Sequence, residues 1–424
     1  MVSPIICFLG TYPPIRCGIA DYTSFLVGAM PPGTWNVISF DLHHGGFPLV
    51  SREWEPEPGV WFGLPSSLDF PAAMVRRGLV ALGRSGDDSL LWFQHEFFIW
   101  RGDGAFVRML RGLDMPKVVT MHTLHARSPE TDSGMTRQEF EMLMALLPQV
   151  DGLTVFSLRA YAAVARAFPA HLGKVHVIRH GVHFYPEVCQ MSTAEAKERL
   201  NDFLLYESTL DDGTKRALER ERVLTDPDAV VVGQSGFLHP IKGDAGLFTF
   251  RDELQEMLPE RRVVAVRIGM ARRTVDEAHA ALLRRLSDTS AHFLLEVFLP
   301  REMLPVAHRA FDVNYYWPED ASQSGMLPHA FGAGAIVAGR DMEGVGEALR
   351  DAGALYDTDR TRLTRKIRDL LMEPEQQREV RQMAVDYARR NSWERQAERH
   401  RDLAERVFSG GGAPENTRTS HLGV

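Results

Sequence analysis

Short apolar runs recur along the 424-residue chain, and polar segments with helical spacing separate them. In the first half the runs are Pro4–Gly10, Asn36–Phe40, Leu90–Phe93, Lys117–Met121, Leu153–Phe156 and Val175–Ile178. Each is four to seven residues long with little alternation, which is the mark of a strand buried on both faces. Between them, the spacing predicts helices over Tyr22–Met30, with Asp21 as cap, and over Pro71–Leu82, Ala105–Leu113, Arg137–Leu147 and Leu158–Phe168. Strands alternating with helices build a parallel sheet covered on both sides.

Residues Gly181–Met191 read as a crossing between domains, and the charged stretch Ser192–Asp228 as a solvated helical connection with helices at Ala194–Leu204 and Lys215–Arg222. A second series follows. Its strands are Ala229–Gln234, Val263–Ile268, Phe293–Phe298, Asp312–Tyr316 and Ala335–Ala338. Its helices are Ala245–Leu258, Val275–Leu286, Arg301–Ala310 and Thr361–Met372. Glu375–Phe408 is helical with Ser392 as a cap before Trp393, and the Gly-, Ser- and Thr-rich tail 409–424 is expected to be disordered. The expected division is a first Rossmann-like domain over 1–185, a second over 186–390, a helix over 391–408 returning to the first, and the tail. Doubly wound halves carry binding loops at the carboxyl ends of their strands.

Composition narrows the function classes. With 44% hydrophobic and 25% charged residues the chain is an ordinary globular protein. A net charge of −8 argues against general affinity for nucleic acid. Cys7, Cys17 and Cys189 form no CxxC pair, which suits a reducing compartment. The N-terminus lacks a signal-peptide pattern and no run is long enough for a membrane span, so a cytoplasmic protein is expected.

Candidate chemistry sits in loops after the apolar runs. Ser322–Ala338 reads as loop, helix start, helix, glycine stop and strand, an arrangement whose backbone N–H groups suit a phosphate. Gln234–Gly243 follows a strand and precedes a helix, with Lys242 placed to neutralise a phosphate. Neither GxxxxGK[ST] nor GxGxxG is present, so a P-loop and a dinucleotide dehydrogenase lack support. Gly10–Gly18, Gln94-His95-Glu96 and Met121-His122-Thr123 end strands in the first half. Histidine and glutamate there invite a metal reading, but no HExxH-like spacing supports it. Each of these features also has a plain structural reading as a turn, a solvated lysine or a core histidine.

Taken in order, these residues resemble a known family. Gly10–Pro14 with Arg16–Ala20, Gln94-His95-Glu96, Val118–Thr123, His180-Gly181-Val182, Gly236-Phe237-Leu238 with Lys242-Gly243, Ser324–Leu327 with Ala330–Gly334, and Ser392-Trp393-Glu394 are similar to motifs of the retaining glycosyltransferase family 4 (glycosyl transferases group 1), over residues 3–407. The resemblance implies a GT-B fold: two Rossmann-like domains facing across a cleft, with a C-terminal helix crossing back to the first. It implies a hexosyltransferase that moves a sugar from UDP- or GDP-sugar to an acceptor hydroxyl with retention, and that requires no metal and no tightly bound cofactor. The acceptor stays open among glycan, lipid-linked and small-molecule hydroxyls. His122 and Lys242 would be catalytic. Gly18, Gly236, Lys242, Val297, Phe298, Ser324, Gly325, Met326 and His329 would bind the donor. Arg16, His95, Glu96 and Thr123 would meet the acceptor or the transferred sugar. The sequence departs from the family pattern at Phe237, where relatives carry arginine, and at Ala321 and His329, where they carry a carboxylate pair; Arg267 or Arg16 are the candidates to replace the arginine. The alternative reading is a non-catalytic relative that binds a nucleotide sugar or glycan within an assembly. An epimerase or phosphorylase of the same fold is a weaker third.

Overall fold

The computed structural model describes residues 3–49, 57–271, 276–288 and 290–410. The tail expected to be disordered lies outside these apart from Ser409 and Gly410, as does Val275 at the start of one expected helix. The chain divides into two compact units, residues 1–181 with 393–424, and residues 182–392.

The first unit holds seven strands: β1 (Ile5–Leu9), β2 (Trp35–Phe40), β3 (Val60–Leu64), β4 (Ser89–His95), β5 (Lys117–Met121), β6 (Gly152–Val155) and β7 (Val175–Val177). All pair in parallel, in the order β3-β2-β1-β4-β5-β6-β7. The second unit holds β8 (Val230–Ser235), β9 (Val263–Ile268), β10 (His292–Leu295), β11 (Val313–Tyr316), β12 (Val337–Arg340) and β13 (Leu355–Asp357). These too are parallel, in the order β10-β9-β8-β11-β12-β13. Both orders are doubly wound. Each reverses beside its first strand, between β1 and β4 and between β8 and β11, and loops that leave such a point in opposite directions open a crevice.

The expected elements are present with shifted ends. The first helix begins at Gly18 instead of Tyr22. The extended Cys17 precedes it without a side-chain cap, and Asp21 lies inside the first turn, where a carboxylate favours the helix dipole. β10 stops at Leu295, leaving Val297 and Phe298 in a loop, and β12 starts at Val337, two residues late. The region Glu375–Phe408 is two helices, Pro374–Arg390 and Trp393–Phe408. Strands β3 and β13 and the helix Glu343–Asp351 are additional to the expected elements; β3 is itself an apolar run, Val60-Trp61-Phe62-Gly63-Leu64, and β13 is not. β3 and β13 are sheet edges, only partly buried.

The solvated connection expected over Ser192–Asp228 is instead part of the core. Ser192 and Glu195 form a capping box that starts the helix Thr193–Asp202. Ala196, Leu200, Phe203, Leu204, Ala217 and Leu218 are buried in one cluster with Val306, Ala307 and Phe311. Most of the charges read from the sequence occupy the outer face, but Lys197 is buried, its ammonium on Asp312 at 2.7 Å and on the Ala229 carbonyl at 3.1 Å.

Candidate functional site

In the second unit, β8 delivers Gly236 and β11 delivers Trp317 to neighbouring loops. The Glu319 amide donates to the Ile241 carbonyl over 2.9 Å. A Cβ on Gly243 would lie 2.0 Å from the Trp317 carbonyl oxygen, and Gly243 holds φ +68°, so only glycine allows this approach. A Cβ on Gly236 would meet Met326 at 3.2 Å. The stretches carrying Lys242 and Ser324–Met326 are thus packed side by side. Lys242 is half-buried, its carbonyl is held by Gln234 Nε2 at 3.1 Å, and its ammonium makes no hydrogen bond or ion pair to a described residue.

Ser324 is buried, and its hydroxyl accepts from the Met326 and Leu327 amides at 3.2 and 3.4 Å. The helix that follows, Leu327–Gly332, is one and a half turns long, and Pro328 supplies no N–H. This helix mouth therefore offers fewer amides than its sequence suggests; Gly325, exposed, is the open position. His329 is stacked on His183 with ring centroids 4.5 Å apart and planes at 11°, and its Nδ1 meets the Tyr185 hydroxyl at 2.6 Å. Val297 is buried and Phe298 is 62% exposed.

Arg267 is not at the surface. It is fully buried, with Nε on Asp244 Oδ1 at 3.0 Å and Nη1 and Nη2 on the carbonyls of Gln234, Gly236, Phe237 and Ile268. Burial alone would raise the Asp244 carboxyl; Arg267, His279 and the His239 amide outweigh it and hold it below the usual range. No donor of Arg267 points away from the protein, so it does not replace the absent loop arginine as a ligand.

In the first unit, His122 follows β5. Its amide donates to the His95 carbonyl at 3.1 Å, and its Nε2 lies 2.7 Å from Gln94 Oε1. A carbonyl oxygen only accepts, so Nε2 carries the proton and Nδ1 keeps a lone pair. Burial, then His180, His95 and His400, hold its pKa well below the ordinary value, so the ring is neutral at physiological pH. Tyr22 and Phe156 pack edge-on against it at 4.9 and 5.2 Å. Beside it, Thr123 donates to Glu96 Oε2 at 2.6 Å, and burial raises the Glu96 carboxyl.

His95 has its backbone here but not its ring. The ring is fully buried against Phe97 and Phe106, and burial lowers its pKa to about 3. Strand parity carries the missed signal: Gln94 and His95, adjacent on β4, face opposite sides of the sheet. Gln94, absent from the expected site residues, is the one that touches His122. Gly10 lies against it, where a Cβ would come within 3.1 Å of the Gln94 Cβ. Arg16 is half-buried with its amide on the Pro48 carbonyl, and Gly18 is exposed at the first turn of an eleven-residue helix.

Among the described residues, no group of three or more His, Cys, Asp or Glu is arranged to hold a metal, and no helix is long and apolar enough to cross a membrane. No protein-family model matches the chain, and no curated protein matches it in sequence. Solved structures do match in fold. A UDP-forming α,α-trehalose-phosphate synthase from Burkholderia xenovorans in complex with glucose-6-phosphate is 15% identical with a TM-score of 0.62, covering 94% of this chain and 99% of its own. The trehalose-6-phosphate enzyme of E. coli bound with UDP-2-fluoro glucose is 13% identical with a TM-score of 0.64, over 94% and 98%. Sucrose-phosphate synthase from Thermosynechococcus elongatus is 14% identical with a TM-score of 0.67, over 96% and 99%. The chain has the GT-B fold. At these identities the likeness speaks for the fold, and the site must speak for the chemistry.

Proposed function

We propose that the chain is a glycosyltransferase that moves a hexose from a nucleoside diphosphate sugar to an acceptor hydroxyl with retention. The observation that carries this reading is the pairing of the loops after β8 and β11, which packs the loop of Lys242, whose ammonium has no partner among the described residues, against the loop that leads to Ser324–Met326. In the reaction, the bond from the anomeric carbon to the diphosphate oxygen breaks and a bond to the acceptor oxygen forms on the same face. The acceptor proton leaves with the diphosphate. Negative charge grows on the departing oxygens, and a fixed ammonium and the Gly325 amide lower that barrier. The reading requires no metal, since these groups meet the charge themselves.

The neutral His122 offers its Nδ1 lone pair to a hydroxyl of the transferred sugar, and Thr123, Glu96 and Arg16 are assigned to the acceptor side. His329 is assigned to the ribose hydroxyls, with the backbone at Val297 and Phe298 on the base. Structural neighbours hold UDP-2-fluoro glucose and glucose-6-phosphate, so UDP-glucose and hexose phosphates head the donor and acceptor panel.

The test is thermal shift and nucleotide release with UDP-, GDP- and ADP-sugars, with and without EDTA, across sugar, sugar-phosphate, glycan and lipid-linked acceptors. Donor-dependent release that survives EDTA is expected. Absence of binding to every donor overturns the reading. Phe237 and His329, in place of an arginine and a carboxylate, favour the second reading, a nucleotide-sugar binder without turnover; binding with no release under any acceptor would establish it.

A further inference from the structure

We infer that Arg267 is the positioning residue of the Lys242 loop. This inference rests on the functional reading only for what the loop binds; the clamp itself stands on geometry. The loop from Gly236 to Gly243 has no regular structure beyond one turn at Pro240–Lys242 and a single β-bridge from Leu238 to Ala271. From β9, the strand next to β8, Arg267 reaches beneath it and holds both ends. Its Nη1 and Nη2 take the Gly236 and Phe237 carbonyls at 3.0 Å each, where the loop leaves the strand. Its Nε takes Asp244, the first residue of the helix Asp244–Met257, where the loop ends. Asp244 passes the constraint on, accepting the His239 amide at 2.9 Å and lying 3.1 Å from His279 Nε2. Gly269 makes room: a Cβ there would stand 1.9 Å from the Gly236 carbonyl oxygen.

A planar fork with five donors ties several carbonyls at fixed angles; an ammonium has three donors on a flexible stem and no fixed fork. The charge is cancelled locally by Asp244, so the clamp adds order to the loop and no attraction for phosphate. The arginine absent at Phe237 is thus answered from below, by holding the loop that presents Lys242.

The experiment uses the full chain. Arg267→Lys keeps the charge and loses the fork. UDP, GDP and ADP affinity is measured by calorimetry, and amide exchange is followed by mass spectrometry. Expected are at least a tenfold weaker nucleotide affinity and faster exchange confined to 236–243. Lys242→Ala should weaken binding without changing that exchange. If Arg267→Lys does not fold, Gly269→Ala, which leaves both charges and displaces the Gly236 carbonyl, decides by the same two readouts. Wild-type affinity with wild-type exchange in 236–243 overturns the inference, as does exchange that rises evenly over 182–392. If the unaltered chain binds none of the three nucleotides, the functional reading fails, and exchange alone still decides the clamp.

Discussion

His122 and Lys242 make opposite demands on their surroundings. The imidazole is kept neutral by burial and by neighbouring histidines, while the ammonium has no partner among the described residues. His122→Ala should therefore cost transfer about a hundredfold or more, since sugar placement is lost, and should leave nucleotide affinity within twofold. Initial rates and calorimetry on one preparation check both. Lys242→Ala should weaken nucleotide diphosphate binding about tenfold, and the difference from the unaltered chain should shrink as salt is raised. Equal affinity at low salt would return this lysine to the solvated kind. Residue identity was readable here but residue direction was not. The sequence marks His95 and His122 alike as histidines at strand ends, and only the strand's alternation separates a core ring from one held by Gln94.

Among the elements, the strands carried by short continuous apolar runs were legible, because burial on two faces leaves an unmistakable composition. Edge strand β13, Leu355–Asp357, was not, being three half-buried residues with little apolar signal, whereas β3, Val60-Trp61-Phe62-Gly63-Leu64, carries the same apolar signal as the strands that were expected. The helix Thr193–Asp202 shows the converse error: its charges were read and its buried Ala196 and Leu200 were not. Its start depends on the Ser192–Glu195 box, so Ser192→Ala should lower unfolding free energy by about 1 kcal/mol, measured by denaturant titration of the full chain. No change would mean that packing against the helix Met303–Ala310 alone holds the segment. The loops after β8 and β11 were legible as candidate sites, but their packing was not, since the contact of Gly243 with Trp317 joins residues far apart in the chain.

For the molecule as a whole, the histidines set the acid limit. In the first unit burial lowers His95 to about 3 and His176, His180 and His400 to about 4; in the second, among the described residues, burial lowers His308, also to about 4. Their ordinary value is 6.5. Unfolded chains thus take up these protons first, so stability is whole above 6.5 and falls as pH drops toward 4. The first unit should lose its fold before the second over that window, followed by amide exchange at pH 7, 5.5 and 4.5. His400→Phe should make the decline shallower. An equal decline in both units would show that groups other than the histidines govern it.

The last helix, Trp393–Phe408, belongs to the first unit, with Trp393 packed on Tyr22 and Phe25 and with Leu403 and Ala404 in the same core. The second unit is in that sense inserted into the first. On the ribosome, residues 182–392 have all their own parts before the N-terminal sheet has its final covering. The segment made first must wait for the segment made last, and through that interval Tyr22 and Trp92 lack their lid. A chain stopped at Ser392 should leave that sheet open to chaperones and proteases while the inserted unit folds undisturbed.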